Sequence, residues 1–225
     1  SVRVAELAAE GLRPLVADVI RPETLVDLPA ASAVLYAIGY DRAAGATMHE
    51  VYVRGLLHVL DALPRETGKF IYVSSTGVYG QSRGEWVNEQ SPCEPSREAG
   101  RICLEAERAL AAHDCGQHAI VLRMAGLYGP GRIPNLAAIR AGDPIAVPEQ
   151  GWLNLIHVDD AAEVVLAADR AAAAPRTFVV SDGVPVLRRE YYGELSRLVN
   201  AKPPRFVAPL AESPGRMKCG GSETS

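Results

Sequence analysis

The segment Tyr72-Val73-Ser74-Ser75-Thr76-Gly77-Val78-Tyr79-Gly80 runs an apolar stretch into three consecutive hydroxyl residues and a glycine. Hydroxyls at the carboxyl end of a buried strand can hydrogen-bond a substrate carbonyl or alcohol, and in an open α/β sheet that edge is where ligands lie. The same residues also suit a plain turn after a strand, and spacing alone leaves both readings open. Other side chains have types suited to proton transfer. Tyr79 and Tyr128 fall near strand ends, and Tyr36 and Tyr40 flank another strand, where buried aromatics are more often packing. His157 ahead of Asp159-Asp160 suggests a metal ligand set. Asp160 with Glu163 matches a capping box, however, so Asp159 or Asp160 is expected to cap a helix and no metal is expected. His113, Asp114, Cys115 and His118 share a turn too short to define a hydrolytic geometry, and nothing predicts a lowered thiol pKa at Cys93 or Cys103.

The elements that must position these residues alternate along the chain. Apolar runs at 12–19, 32–39, 70–73, 119–122 and 178–180 read as strands, and Ile156-His157-Val158 leads into a helix. They are continuous rather than alternating, as burial on both faces requires. Helical spacing covers 47–63 (Val51, Leu56, Val59, Leu60), 97–112 with Ser96 as its N-cap, 160–168 and 188–199. Strand–helix–strand order predicts an α/β fold, a doubly wound parallel sheet. Residues 1–126 and 151–170 are expected to form the main domain, and 127–150 with 171–225 a small C-terminal substrate lobe. The last stretch, 208–225, reads as loop or frayed tail.

The chain has 225 residues, 48% apolar and 22% charged, an ordinary globular mix that excludes wholesale disorder and a disulfide miniprotein. Its net charge of −4 excludes a basic nucleic-acid footprint, so nucleic acid is not an expected partner. Only three of the 23 basic residues are lysines. The four cysteines have no metal-ligand spacing and suit a reducing, cytoplasmic setting. No 18-residue apolar run and no signal peptide are found, so neither a membrane span nor secretion is expected.

Six segments in order resemble the extended short-chain dehydrogenases of the NAD-dependent epimerase/dehydratase group. They are Val16–Val19, Ala33–Gly39, Val73–Gly80, Leu122–Gly131, Asn154–Ala161 and Val180–Gly183, and the resemblance covers about residues 5–200. The resemblance implies a Rossmann-like fold, NAD or NADP as cofactor, and a small-molecule substrate such as a sugar nucleotide. It implies that Asp18 and Val19 contact adenine and that Ala37, Ile38 and Gly39 lie beside the adenosine ribose and pyrophosphate. Ser74 would also border the cofactor, and Met124, Ala125 and Gly126 would line the nicotinamide. Ser75 with Thr76 would polarise the substrate oxygen. Tyr128, Arg132, Asn135 and Asn154 are the implied substrate contacts. Helices 47–63 and 97–112 resemble the family's dimer helices, which suggests a homodimer.

Two departures bear on function. No G-x-G-x-x-G turn follows the first recognisable strand, so the chain reads as starting after the family's first βαβ unit, about 35–45 residues late. The Tyr-x-x-x-Lys pair is also replaced: Arg97 falls at the Tyr position and Arg101 at the Lys position. Arginine cannot give up a proton near neutral pH, so Arg97 cannot act as the phenol does, whereas Arg101 could still hold ribose or substrate charge. Tyr79 or a water is then the substitute acid/base. Tyr52 and Leu56 likewise stand where the family often has Asn and Thr. Two readings follow: an epimerase/dehydratase-like oxidoreductase with an altered proton relay, or a dinucleotide-binding sensor or assembly protein without turnover.

Overall fold

The computed structural model describes residues 2–207 and 218–219. In chain order the helices are α1 (Val2–Ala9), α2 (Gly55–Ala62, entered through a π-helical turn at Glu50–Arg54), α3 (Glu98–Ala112), α4 (Leu136–Ala141), α5 (Val158–Ala171) and α6 (Arg188–Leu198). The strands are β1 (Ala33–Tyr36), β2 (Lys69–Ser75), β3 (Trp86–Val87), β4 (Ala119–Met124), β5 (Gly126–Tyr128), β6 (Trp152–Leu153), β7 (Leu155–His157), β8 (Arg176–Val180), β9 (Val186–Leu187) and β10 (Lys218–Cys219). β1, β2, β4 and β8 form one sheet in that order, every pair parallel. Parallel neighbours need a crossover, and α2, α3 and α5 supply the three.

Side chains alternate across the sheet and both faces are covered. Phe70 and Tyr72 pack with Tyr36, Leu56, Leu60, Ile102 and Leu110 under α2 and α3. Ile71 points the other way, with Ile120, Leu122, Met124, Ala161 and Ala168 under α5. That double burial explains the continuous apolar runs. A separate cluster, Ile139, Ile145, Tyr192 and Leu195, joins α4 to α6, and β6 pairs antiparallel with β9. Residues 176–180, expected in the smaller lobe, are instead the fourth strand of the sheet.

Several expectations are corrected. Residues 12–19 form no strand. A strand needs a neighbour for its N–H and C=O groups, and no described strand pairs with this segment. Residues 12–18 carry no regular structure, with Val16 81% exposed, and Leu35 on the edge strand β1 is 50% exposed. The cap of α3 is Arg97 rather than Ser96, with no side-chain cap bond. α5 begins at Val158 and is capped by His157, whose ring accepts from the Asp159 N–H, not by either aspartate. Most of 208–225 lies outside the described residues.

α3 reaches the strand end through a glycine contact. A Cβ at Gly100 would stand 2.1 Å from the Gly77 carbonyl oxygen and 2.8 Å from Pro95 Cβ. This close approach seats the first turn of α3 on the Ser75–Gly77 corner. Gly100→Ala is therefore expected to cost about 1–3 kcal/mol as an overpacked contact. A urea midpoint unchanged from wild type would show that the approach is not required.

Candidate active site

The site is built over a buried ion pair. Alternation along β4 turns Arg123 toward α3, where Glu107 faces it. Arg123 Nη2 donates to Glu107 Oε2 at 2.7 Å and Nε to Oε1 at 3.1 Å, with both residues buried. Ser74 donates to the same carboxylate at 2.6 Å. Arg123 Nη1 donates to the Tyr79 hydroxyl at 2.8 Å, and that hydroxyl donates to the Asn88 carbonyl at 2.9 Å. Burial pushes the Tyr79 phenol up to about 12 against the opposing pull of Arg123. Its donor and acceptor are both engaged in this network, so the hydroxyl is held as structure rather than poised as a proton carrier.

Above this floor two cavities open at the carboxyl ends of β1, β2 and β4. The first, about 400 Å³, is walled by Tyr36, Ala37, Ile38, Gly39, Tyr52, the strand end Tyr72–Thr76, Cys103, Met124–Leu127 and Arg132. The second, about 280 Å³, is bordered by Thr76, Gly77, Tyr79, Gln81, Ser96, Arg97, Gly126, Trp152, Leu153, Asn154 and Arg188. Thr76 and Gly126 belong to both, so the cavities adjoin there. Ser75 Oγ accepts from the Gly77 N–H at 3.0 Å, which leaves its own O–H to donate. Tyr36 borders the first cavity, and its buried hydroxyl has no partner among the described residues; burial holds its phenol well above the ordinary tyrosine range. Burial also lifts the Cys103 thiol to about 11, with Glu107 adding to the rise, so it stays protonated and is no nucleophile at neutral pH. A larger hollow of about 580 Å³ between α5 and β8 is walled mainly by alanine, valine and phenylalanine and bears little polar chemistry.

The first cavity gathers Ala37, Ile38, Gly39, Ser74, Ser75, Thr76, Met124, Ala125, Gly126 and Arg132; the second takes Thr76, Tyr79, Gly126 and Asn154. The remaining candidates stand elsewhere. Asp18 is half-exposed and pairs with Arg21 at 3.6 Å. Val19 packs on Gly55, and its carbonyl accepts from His58 Nδ1 at 2.8 Å. Arg101 turns back to the Ser96 carbonyl at 2.7 Å and borders neither cavity. Tyr128 sets its ring edge-on to His157, with centroids 5.2 Å apart. Asn135 donates to the Tyr192 hydroxyl at 2.7 Å inside the α4–α6 lobe.

The model of the NAD dependent epimerase/dehydratase family matches residues 6–181. The chain belongs to that family. Protein YeeZ of Escherichia coli K12, whose function its name leaves open, is 31% identical over 170 residues, 75% of this chain. The chain spans 60% of the length of that relative. Among solved folds, a double mutant of the dTDP-glucose 4,6-dehydratase DesIV from Streptomyces venezuelae, with NAD and DAU bound, superposes at TM-score 0.81 with 21% identity, over 98% of this chain and 74% of DesIV. UDP-glucose 4-epimerase from Thermotoga maritima, with UDP-glucose, superposes at 0.73 with 18% identity, over 91% and 74%. At these identities the likeness establishes the family's Rossmann-like fold.

Sequence reading missed Glu107, Arg123, Gln81 and Arg188. For Arg123 a signal existed, because a charge inside the buried run Ile120–Met124 must find a partner. Arg188 had none: it is the first residue of the polar run Arg188-Arg189-Glu190 that opens a helix, where a charge ordinarily faces solvent.

Glu107→Gln leaves the Arg123 charge buried without a countercharge and is expected to lower stability by about 3–5 kcal/mol, read as a urea midpoint. The double variant Glu107→Leu with Arg123→Met should recover most of that loss. Equal destabilisation in the double variant would contradict the pairing.

Proposed function

We propose that the protein is an NAD(P)-dependent oxidoreductase of the epimerase/dehydratase kind, with the reactive half of the dinucleotide in the first cavity and a small-molecule substrate in the second. The observation that carries this reading is the junction of the two cavities at Thr76 and Gly126, on the carboxyl edge of a parallel sheet. The residues fit a nicotinamide riboside: apolar walls, a hydroxyl rim at Ser75–Thr76, and the unpartnered Tyr36 hydroxyl. When bound there, NAD(P) would supply hydride-transfer chemistry at a substrate carbon. Thr76 and Ser75 would hydrogen-bond the substrate oxygen as charge develops on it, and Gly126 keeps the boundary open. A Cβ at Gly126 would lie 3.1 Å from Leu155 Cδ2 and 3.2 Å from the Asn154 carbonyl. A sugar nucleotide, the kind of compound for which the dehydratase DesIV is named, is one candidate.

The proton route differs from the family pattern. Arg97, at the phenol's place, borders the substrate cavity, and Arg101 is tied to Ser96. With Tyr79 engaged below, a water is the better candidate to carry the proton. The presence of Arg97 there also favours a second reading, a dinucleotide-binding protein without turnover. A homodimer through α2 and α3 belongs with these proposals. Its outward face would carry Arg54, Asp61, Arg101, Glu105 and Arg108, all exposed. The free thiols Cys93, Cys103 and Cys115 suit a reducing, cytoplasmic setting.

Turnover on a panel of hydroxylated substrates, followed at 340 nm, tests the first reading. Thr76→Val should lower kcat by about 10²-fold, as loss of one oriented donor does, with dinucleotide affinity unchanged. An unaffected rate would remove Thr76 from the chemistry. The double variant Arg97→Tyr with Arg101→Lys is expected to raise kcat by about 10²-fold if only the proton relay is lacking. Dinucleotide binding with no turnover in either protein would favour the second reading.

A further inference from the structure

Arg188 opens α6 and borders the second cavity, with 8% of its surface exposed. Its Nε and Nη1 donors are buried and have no partner among the described residues. The guanidinium cannot escape this by losing its proton, and an unpaired buried charge is costly unless a countercharge meets it. Among the described residues no Asp or Glu borders the cavity to supply one. Arg97 borders it too, as the cap residue of α3, and adds a second positive charge rather than relief. Burial draws the Arg188 guanidinium below its ordinary range, and the neighbouring Arg97 works in the same direction.

A third orphan fixes the rest of the ligand. Gln81 Nε2 donates to the Pro92 carbonyl at 3.1 Å, which orients the amide so that its oxygen is the free end. That Oε1 is buried without a donor among the described residues, and Gln81 borders the same cavity. Two guanidiniums therefore call for an oxyanion, and one amide oxygen calls for an O–H or N–H donor.

We infer that the second cavity takes a hydroxylated compound bearing a carboxylate or phosphate, its oxyanion held by Arg188 and Arg97 and a hydroxyl donated to Gln81. Arginine suits this task because its planar fork pairs two oxygens at once. The oxyanion site stands on Arg188, Arg97 and Gln81 alone; its role as substrate anchor rests on the oxidoreductase reading above. The anion then sits beside Thr76, where the hydride-bearing carbon would lie, so charge recognition and positioning use one contact.

The test is melting of the whole protein at fixed ionic strength, with inorganic phosphate in one arm, gluconate in a second and chloride as control, all without dinucleotide. A saturable rise in Tm with phosphate, gluconate or both is expected, and the arm that responds at lower concentration assigns the oxyanion. Arg97→Gln, at an exposed position, should weaken the apparent affinity about tenfold or more. Arg188→Gln should abolish the response while its ligand-free Tm stays at or above wild type, because an unpaired buried charge is gone. A flat response to both anions, or an undiminished one in both variants, would overturn the site. Dinucleotide binding is measured separately: its absence alongside a retained anion response defeats the oxidoreductase reading and leaves the oxyanion site standing.

Discussion

The contact between Glu107 and Arg123 is the constraint on which the site depends. A carboxylate on α3 and a guanidinium on β4 are buried together, and neither tolerates that burial alone. Satisfying them draws in Ser74 at the end of β2 and the Tyr79 hydroxyl beyond it. One network thus ties the central strand, its neighbour, the crossover helix and the loop after Gly77. The Ser75–Thr76 rim has no freedom to drift from the wall formed by Met124–Gly126, because β2 and β4 are in register up to Ser75 and Met124 and cross-braced beneath. Buried ionic networks are weak sources of net stability; geometry is what this one supplies.

On that floor lie two chemically different walls. The wall of Ala37–Gly39 and Met124–Leu127 is small or apolar, as the proposed reading requires for a flat ring. The wall of Arg97, Arg188, Gln81 and Asn154 is polar and positively charged. In the proposed reading Arg97 stands where the family has its phenol, which exchanges acid–base capacity for anion binding and accounts for both arginines by one ligand.

Much of this was legible in the sequence because burial on two faces leaves a strong mark. The runs at 32–39, 70–73, 119–122 and 178–180 all became strands of the parallel sheet, and the hydroxyls after Val73 lie at its carboxyl edge. The run at 12–19 looks the same by composition, yet composition does not reveal whether a strand has a neighbour to pair with. The helix starts near 97 and 158 were misplaced because capping rules identify side chains that can bond, while tertiary contacts such as Gly100 on Gly77 set where the helix begins. Arg188 was invisible for a related reason. Its significance lies in what fails to surround it, and only the assembled cavity shows that.

The most direct test of the central claim is a crystal structure of the protein with NADH and gluconate soaked together. The account places the nicotinamide against Thr76 and Gly126, with an oxyanion within hydrogen-bond reach of Arg188 on the far side of that boundary. A dinucleotide whose nicotinamide lies out of contact with both residues, or a ring that fills the arginine-bordered cavity itself, would contradict it.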